Sequence, residues 1–327
     1  MKAAWYERNG LASDVLTVGE METPSPGPGA GEVRVKLQTS GVNPSDVKSR
    51  RGRPLVGPRV IPHSDGGGVI DAIGTGADRN RLGQRVWVWN GQWRRPFGTA
   101  AEYICVPQAQ AVRLPENIDM ASAACLGIPA LTATHAVRLH GDVAGKLLLV
   151  TGAGSAVGHY ATQIAKANGA RVVATASEEK AAHARAAGAD FVIDYKQKDV
   201  AEVVKDLTKG AGVDGIIDMD LSTTAPLVAA GLMAPHGLHV CYGSNVAADI
   251  PISFPAMLWG SLTLKVFVVY ELTPQERIAA IADLTKMLKD NALRHTIGEH
   301  FTLDRIALAH EAVEEGTLIG NVVIDIA

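Results

Sequence analysis

The chain has 327 residues, 47% of them hydrophobic and 20% charged, a composition that suits folded soluble protein and argues against disorder. Its 31 basic and 34 acidic residues leave a formal charge of −3, so no overall basic field exists to hold nucleic acid or an anionic membrane. Three cysteines, an odd count with no C-x-x-C pair, exclude a disulfide framework and a structural four-cysteine zinc site.

Residues 1–8 lack the apolar run of a signal peptide, and cysteine usage suits a reducing compartment, so a cytoplasmic protein is expected. A loop rich in Gly and Pro spans 24–31, and residues 33–37 then alternate at period two as a half-buried strand does. Further short strands are expected near 68–70, 85–88 and 102–106, which together read as a β-rich domain. Residues 121–140 read as helical, interrupted at Gly127 and Pro129. From there strands and helices alternate. Strands are expected at 147–150, 171–175, 191–193, 213–219, 237–242 and 261–268. The first four are followed by helices to about 168, over 178–187, over 199–209, and from about 223. Such alternation demands a parallel, doubly wound sheet. Helices at 275–288 and 303–315 and a strand at 321–326 close the chain. The longest stretch without Asp, Glu, Lys or Arg, 221–248, contains Pro226 and Pro235, so no membrane span is expected.

The segment 148–160 carries the chemistry. A buried strand runs into Thr151-Gly152-Ala153-Gly154-Ser155-Ala156-Val157-Gly158 and then a helix. Small residues let the backbone approach a pyrophosphate, and the helix N-terminus offers free N–H groups. The spacing is G-x-G-x-x-x-G instead of the strict dinucleotide fingerprint; the flanking strand and helix and the further βα units give it meaning. At the tip of the second strand, Ala174-Thr175-Ala176-Ser177 contains no acid to hold ribose hydroxyls. Ser177 and Lys180 can donate to a phosphate, and Tyr195-Lys196 follow the third strand, so NADPH is favoured over NADH. The competing reading has Glu178 or Glu179 reach the ribose, with Lys180 a solvated helix residue.

Several landmarks run the length of the chain: Gly41-Val42-Asn43-Pro44-Ser45-Asp46, the run from Ile61 to Ile70 (I-P-H-S-D-G-G-G-V-I), Gly83-Gln84-Arg85-Val86, Gly98-Thr99-Ala100-Ala101-Glu102-Tyr103, Gly127-Ile128-Pro129-Ala130-Leu131-Thr132-Ala133, Ala187-Gly188-Ala189-Asp190 and Tyr242-Gly243-Ser244. With the glycine turn, they resemble the medium-chain dehydrogenase/reductase superfamily, and within it the zinc-independent quinone oxidoreductases of the zeta-crystallin type. The resemblance implies an α/β protein in which a doubly wound Rossmann domain, 129–266, is inserted in a β-rich GroES-like catalytic domain, 1–128 plus 267–327, with the substrate in the cleft. It also implies a homodimer that pairs the strand near 261–268. Zinc-dependent relatives carry a ligand cysteine where this chain has Asn43 and a ligand histidine where it has Ser64. Both are poor replacements, so no metal is expected.

By the same resemblance, Gly154, Ser155, Ala156, Val157 and Gly158 form the pyrophosphate turn, where relatives usually have glycine in place of Ser155 and Ala156. Thr132 lies near the nicotinamide. Ser177, Lys180 and Tyr195 form a 2′-phosphate pocket, Tyr242, Gly243 and Ser244 the strand end beside the cofactor, and Asn321 replaces a lysine near the nucleotide. Asn43 matches a site asparagine. Lys48 falls where many relatives have a tyrosine facing the nicotinamide; it reads either as a donor to a developing enolate or as part of a solvated basic run with Arg50, Arg51, Arg53 and Arg59. Asp65 reads as a stabiliser of local structure. Trp87 and Trp89 alternate within a strand and read as core, while Trp93 and Phe97 join them as a possible apolar wall for a planar substrate.

The expectation is thus NADPH-dependent reduction of small-molecule quinones or α,β-unsaturated carbonyls by direct hydride transfer, with Asn43, Lys48 or water stabilising the anion. A short-chain dehydrogenase is excluded, because no tyrosine has a lysine four residues later. The alternative from another class is an NADPH-binding structural or RNA-binding protein of the zeta-crystallin type, against which the acidic balance argues.

Overall fold

The computed structural model describes residues 1–27 and 31–326. Residues 28–30, within the expected Gly- and Pro-rich loop, lie outside the described residues. The chain divides into two compact units, residues 1–128 with 295–327, and residues 129–294.

In the first unit, β1 (Lys2–Trp5) and β2 (Thr17–Glu20) pair antiparallel around the short α1 (Ala12–Val15). Then come β3 (Glu32–Val42), α2 (Pro44–Gly52), β4 (Asp65–Ile73), β5 (Arg85–Val88), β6 (Tyr103–Pro107), β7 (Ala111–Arg113) and α3 (Met120–Ala123). The period-two pattern of β3 is realised: Val33, Val35 and Leu37 are buried against Ile70, Val86 and Ile104.

The second unit holds α4 (Leu131–Leu139), β8 (Leu147–Val150), α5 (Ala156–Ala167), β9 (Arg171–Ala176), α6 (Glu178–Ala186), β10 (Phe191–Asp194) and α7 (Val200–Thr208). It continues with β11 (Val213–Asp218), α8 (Leu221–Ala229), β12 (Met233–Cys241), α9 (Phe254–Gly260), β13 (Thr263–Val266) and α10 (Pro274–Lys289). Its six strands are ordered β10-β9-β8-β11-β12-β13, and every pairing is parallel. Continuous apolar runs such as Leu148–Val150 are buried on both faces, as a parallel sheet requires. Leu149, Val173, Ile193, Val204 and Ile216 pack together in its core. All strands point one way, so the carboxyl ends of β8, β9, β10 and β11 meet at one edge of the sheet, where doubly wound folds bind ligands.

The chain returns to the first unit as β14 (Ile297–Thr302), α11 (Ile306–Glu315) and β15 (Asn321–Asp325). The seven-stranded sheet is ordered β14-β15-β3-β4-β5-β7, with β6 paired to β3. Only β14 and β15 pair in parallel there.

Two differences from the sequence reading have physical causes. The expected helix at 121–140 is three pieces: α3, a wide helical turn at Leu126–Ala130 that contains Pro129, and α4. Proline lacks the N–H that a regular helix needs there. The second crossing between units falls at 294–295 instead of 266–267. Helix α10 packs on α4, so residues 267–294 stay with the cofactor-type unit.

Candidate active site

The turn after β8 is tied to three strands. Thr151 Oγ1 donates to Asp218 Oδ1 (2.8 Å) and accepts from the Met219 N–H (2.9 Å), fixing the tip of β8 to that of β11. The Gly152 N–H donates to Thr175 Oγ1 (3.0 Å) and the Ala153 N–H to the Thr175 carbonyl (2.9 Å), fixing the turn to β9. Ser155 caps α5, its hydroxyl accepting from the Gly158 N–H (3.3 Å). A side chain at 155 therefore has a use in this chain. Gly158 allows the helix to sit on the turn, since a Cβ there would lie 2.2 Å from the Gly152 carbonyl oxygen. The Ala156 and Val157 N–H groups precede any intrahelical acceptor and are the groups a pyrophosphate would use.

Beside this turn lies a cleft of about 430 Å³, lined among others by Thr151, Thr175, Tyr195, Lys198, Asp220 and Asn245. Tyr195 is exposed at its mouth, Ser177 is buried at the N-cap of α6, and Lys180 is half-buried with its ammonium pKa lowered by desolvation. Lys196 and Lys198 extend from the turn after β10. The cleft thus pairs an open backbone turn with one lysine, Lys198, and two acids, Asp199 and Asp220, while Lys180 lies against the turn at Gly154; backbone N–H groups and lysines are donors that an adenosine carrying phosphate groups could use.

Two carboxylates that the sequence reading did not single out organise this edge. Asp218 is fully buried; its Oδ1 accepts from Thr151, from Thr224 Oγ1 (2.9 Å) and from the Asp220 N–H (2.9 Å), and its Oδ2 meets His239 Nε2 at 2.9 Å. Asp220 caps α8 and also accepts from the Asn245 N–H (2.9 Å) and Nδ2 (2.8 Å) and from Ser222 Oγ (2.6 Å). Burial works to raise its pKa, yet the hydrogen bonds from Ser222 and Asn245 hold it below the usual carboxylate range. Ser244 Oγ joins it at 3.3 Å, and the Gly243 carbonyl accepts from the Leu221 N–H (3.1 Å). Asp218 and His239 lie 21 residues apart, so only strand pairing reveals them; the N-cap pattern Asp220-x-Ser222 was the one local signal.

In the first unit, Asn43 is buried at the start of α2 between two acids. Its N–H donates to Asp46 Oδ2 (2.8 Å), and its Nδ2 donates to Asp65 Oδ2 (3.0 Å), which also accepts the Ile128 N–H (3.0 Å). Asp65 Oδ1 is buried without a hydrogen-bond partner. Burial pushes the Asp65 carboxyl well above the carboxylate range, helped by the nearby Asp46, and pushes Asp46 up to about 7. Ser64 is buried, and neighbouring His63 bonds Ser40 (2.9 Å) and His310 (2.9 Å). Lys48 lies exposed further along α2, outside the buried Asn43 cluster. Asn321 donates its Nδ2 to the Thr296 carbonyl (2.9 Å), a contact within its own unit.

Thr132 is buried on α4. Tyr242 follows β12; its hydroxyl is buried without a partner, and burial raises its pKa. Trp87 is fully buried in β5, as a core residue should be; Trp89 donates to the Ala109 carbonyl (3.1 Å), and Phe97 is half exposed.

Residues 29–116 match the alcohol dehydrogenase GroES-like domain, and residues 156–286 match the zinc-binding dehydrogenase domain. A quinone oxidoreductase of Pseudomonas aeruginosa is 30% identical over 317 residues, 95% of each chain. A 2-haloacrylate reductase of a Burkholderia species is 28% identical over 336 residues, 99% of this chain and 98% of that protein. Among solved structures, an NAD-dependent alcohol dehydrogenase superposes with a TM-score of 0.89 at 28% identity, over the full length of both chains. A mycobacterial protein complexed with NADPH superposes with a TM-score of 0.87 at 26% identity, again over both full chains. The chain belongs to the medium-chain dehydrogenase/reductase superfamily, alongside its quinone oxidoreductases. It is an oxidoreductase of the kind that works with a nicotinamide cofactor. No helix among the described residues is long and apolar enough to cross a membrane.

Proposed function

We propose that the protein reduces quinones or α,β-unsaturated carbonyl compounds with NADPH, by direct hydride transfer and without a catalytic zinc ion. The observation that supports the cofactor choice is the end of β9: no acid stands at residues 174–177, Ser177 and Lys180 follow directly, and Tyr195, Lys196 and Lys198 leave the end of β10 after Asp194. The NADPH-bound structural neighbour supports it, as the quinone oxidoreductase and 2-haloacrylate reductase relatives support the acceptor class.

Bound NADPH supplies a hydride from C4 of its dihydronicotinamide. The turn at 154–158 receives the pyrophosphate on backbone N–H groups, and Thr132, Tyr242, Gly243 and Ser244 serve the nicotinamide end. Asn43 stabilises the acceptor oxygen as negative charge develops there. Its amide has two N–H groups; Asp65 holds one and so orients the other. Lys48, on the same helix, serves an anionic substrate group or donates to the enolate. Asn43 and Ser64 stand at the metal-ligand positions, and an amide that donates to Asp65 is a poor metal ligand. Delocalised acceptors need hydrogen-bond donors and not a Lewis acid.

A homodimer is part of this reading. β13 is the edge strand of its sheet, and Phe254, Leu258, Trp259 and Val266 expose apolar surface on and beside it, Trp259 at 85%. The reading is tested by following dihydronicotinamide absorbance with a panel of quinones and enones, using NADPH and NADH, before and after dialysis against a chelator. Turnover that favours NADPH and survives chelation is expected. No turnover with any acceptor, or loss on chelation, overturns the reading. Light scattering on the eluting protein reads the dimer mass.

A further inference from the structure

We propose that Glu179 is a specificity-determining residue of the cofactor cleft: it occupies the groups that a 2′-phosphate would use, and so narrows the margin by which NADPH is preferred over NADH. The inference rests on the NADPH reading above and concerns the same edge of the sheet.

No acid stands at residues 174–177; the acids around that strand tip are Asp194, which pairs with Ala176 from β10, and Glu178 and Glu179, in the first turn of α6. The helix dipole favours negative charge there. The Ser177 hydroxyl makes no capping bond to its own helix, and it donates instead to the Glu179 carboxylate. Lys196 reaches the same carboxylate at 4.0 Å. Ser177 and Lys196 therefore face an internal anion before any cofactor arrives.

Glu179 and Lys180 differ in how firmly they are placed. The Glu179 side chain is 73% exposed and has room to rotate into solvent. The Lys180 stem lies along the glycine turn: a Cβ at Gly154 would meet Lys180 Cβ at 2.5 Å, Cδ at 3.2 Å and Cγ at 3.3 Å. The cation is fixed by packing while the carboxylate is displaceable. A phosphate monoester carries a charge of about −1.5 to −2 near neutral pH, so it competes with Glu179 for Ser177 and Lys196 and is repelled if Glu179 stays. A ribose with free hydroxyls has no such conflict, because its 2′-hydroxyl can donate to a carboxylate.

The test needs no turnover. Full-length protein, Glu179→Gln and Lys180→Met are titrated in a calorimeter with 2′,5′-ADP, which carries the 2′-phosphate, and with 5′-AMP, which does not. Glu179→Gln is expected to bind 2′,5′-ADP about threefold or more tightly than the unaltered protein, in low salt, with no gain for 5′-AMP. Lys180→Met keeps the stem on Gly154 but loses the charge, and is expected to bind 2′,5′-ADP about tenfold more weakly. Glu179→Ala repeats the first variant without any hydrogen-bonding group. Equal or weaker 2′,5′-ADP binding by both Glu179 variants, or the same gain for both probes, overturns the inference. Failure of the NADPH reading looks different: the unaltered protein binds 2′,5′-ADP no more tightly than 5′-AMP. If the Glu179 variants then acquire that preference, the NADPH reading falls and the role of Glu179 stands.

Discussion

Asp65, at the start of β4, and Asp220, at the N-terminus of α8, are both buried, yet their carboxyls shift in opposite directions. Asp65 lies among strand glycines and receives donors on one oxygen only, from Asn43 and Ile128, while its other oxygen is unpartnered. Asp220 receives donors on both oxygens, from the turn it caps and from Asn245. Depth and donors together set ionisation: Asp65 lies deeper and has Asp46 beside it, whereas Asp220 is shallower and has N–H and O–H groups aimed at both oxygens. One unit keeps an acid whose carboxyl is raised by burial beside its candidate catalytic amide, and the other keeps an acid whose carboxyl is lowered by the donors that fasten the cofactor-side loop.

The largest expected effect falls on Asn43. If it serves the reaction as well as Asp65, Asn43→Ala lowers kcat about 10²- to 10³-fold with little change in the KM for NADPH. A loss confined to folding stability would make Asn43 only Asp65's partner, and the first unit would hold no catalytic donor at this position.

The second effect is in the pH dependence of stability. Asp46 has its folded pKa raised by burial to about 7, above its value of 3.8 in an unfolded chain. Between those values the folded state holds a proton that the unfolded state has lost. Its contribution is therefore fully present below about pH 4 and is lost as pH rises toward 7. The difference in unfolding free energy between the unaltered protein and Asp46→Asn should drift by about 3–4 kcal/mol over that window, read by urea unfolding. His159 and His310 carry the opposite sign: burial lowers them to about 4 and about 3, so acid below about pH 6 destabilises through them. A flat difference curve would show that Asp46 is ionised in the fold.

The third effect compares the two acids directly. Asp220→Asn should cost about 2–3 kcal/mol at neutral pH, because charge-assisted bonds are lost. Asp65→Asn should cost less, because burial raises the Asp65 carboxyl and an amide resembles the protonated acid. Equal costs would mean that both sites hold the same species.

This contrast also shows what could be read in advance. The glycine turn, the α6 start and the alternating strands were legible because each depends on neighbours within a few residues. Ser177, Lys180 and Tyr195 were placed from their position at strand ends, and the fold gathers them at one edge with Lys198, a residue with no signal of its own. Asp218 and His239 were invisible because their pairing depends on two strands lying side by side. Asp65 was read as a stabiliser, but its hold on the Asn43 amide needs β4 and the start of α2 to be known together. The contact division sets the second crossing after α10, a position the sequence does not announce because the apolar face of α10 does not say which neighbour it packs on.

The smallest effect completes the scale with an exposed acid. Glu7 is 56% exposed and meets Arg59 at 2.9 Å, while the Arg59 guanidinium lies 4.8 Å from the centre of the Trp5 ring. Water competes for both charges, so Glu7→Gln should cost about 0.5 kcal/mol or less, and nothing measurable in about 0.5 M salt. Arg59→Ala should cost somewhat more, about 1 kcal/mol, because it also removes the guanidinium and its stem from Trp5. That extra part should persist in salt, since stacking is screened less than an exposed ion pair. If Glu7→Gln instead matched Asp220→Asn, a single cation would stabilise a carboxylate as well as a cage of N–H and O–H donors does. The donors would then no longer help explain why Asp65 and Asp220 part ways.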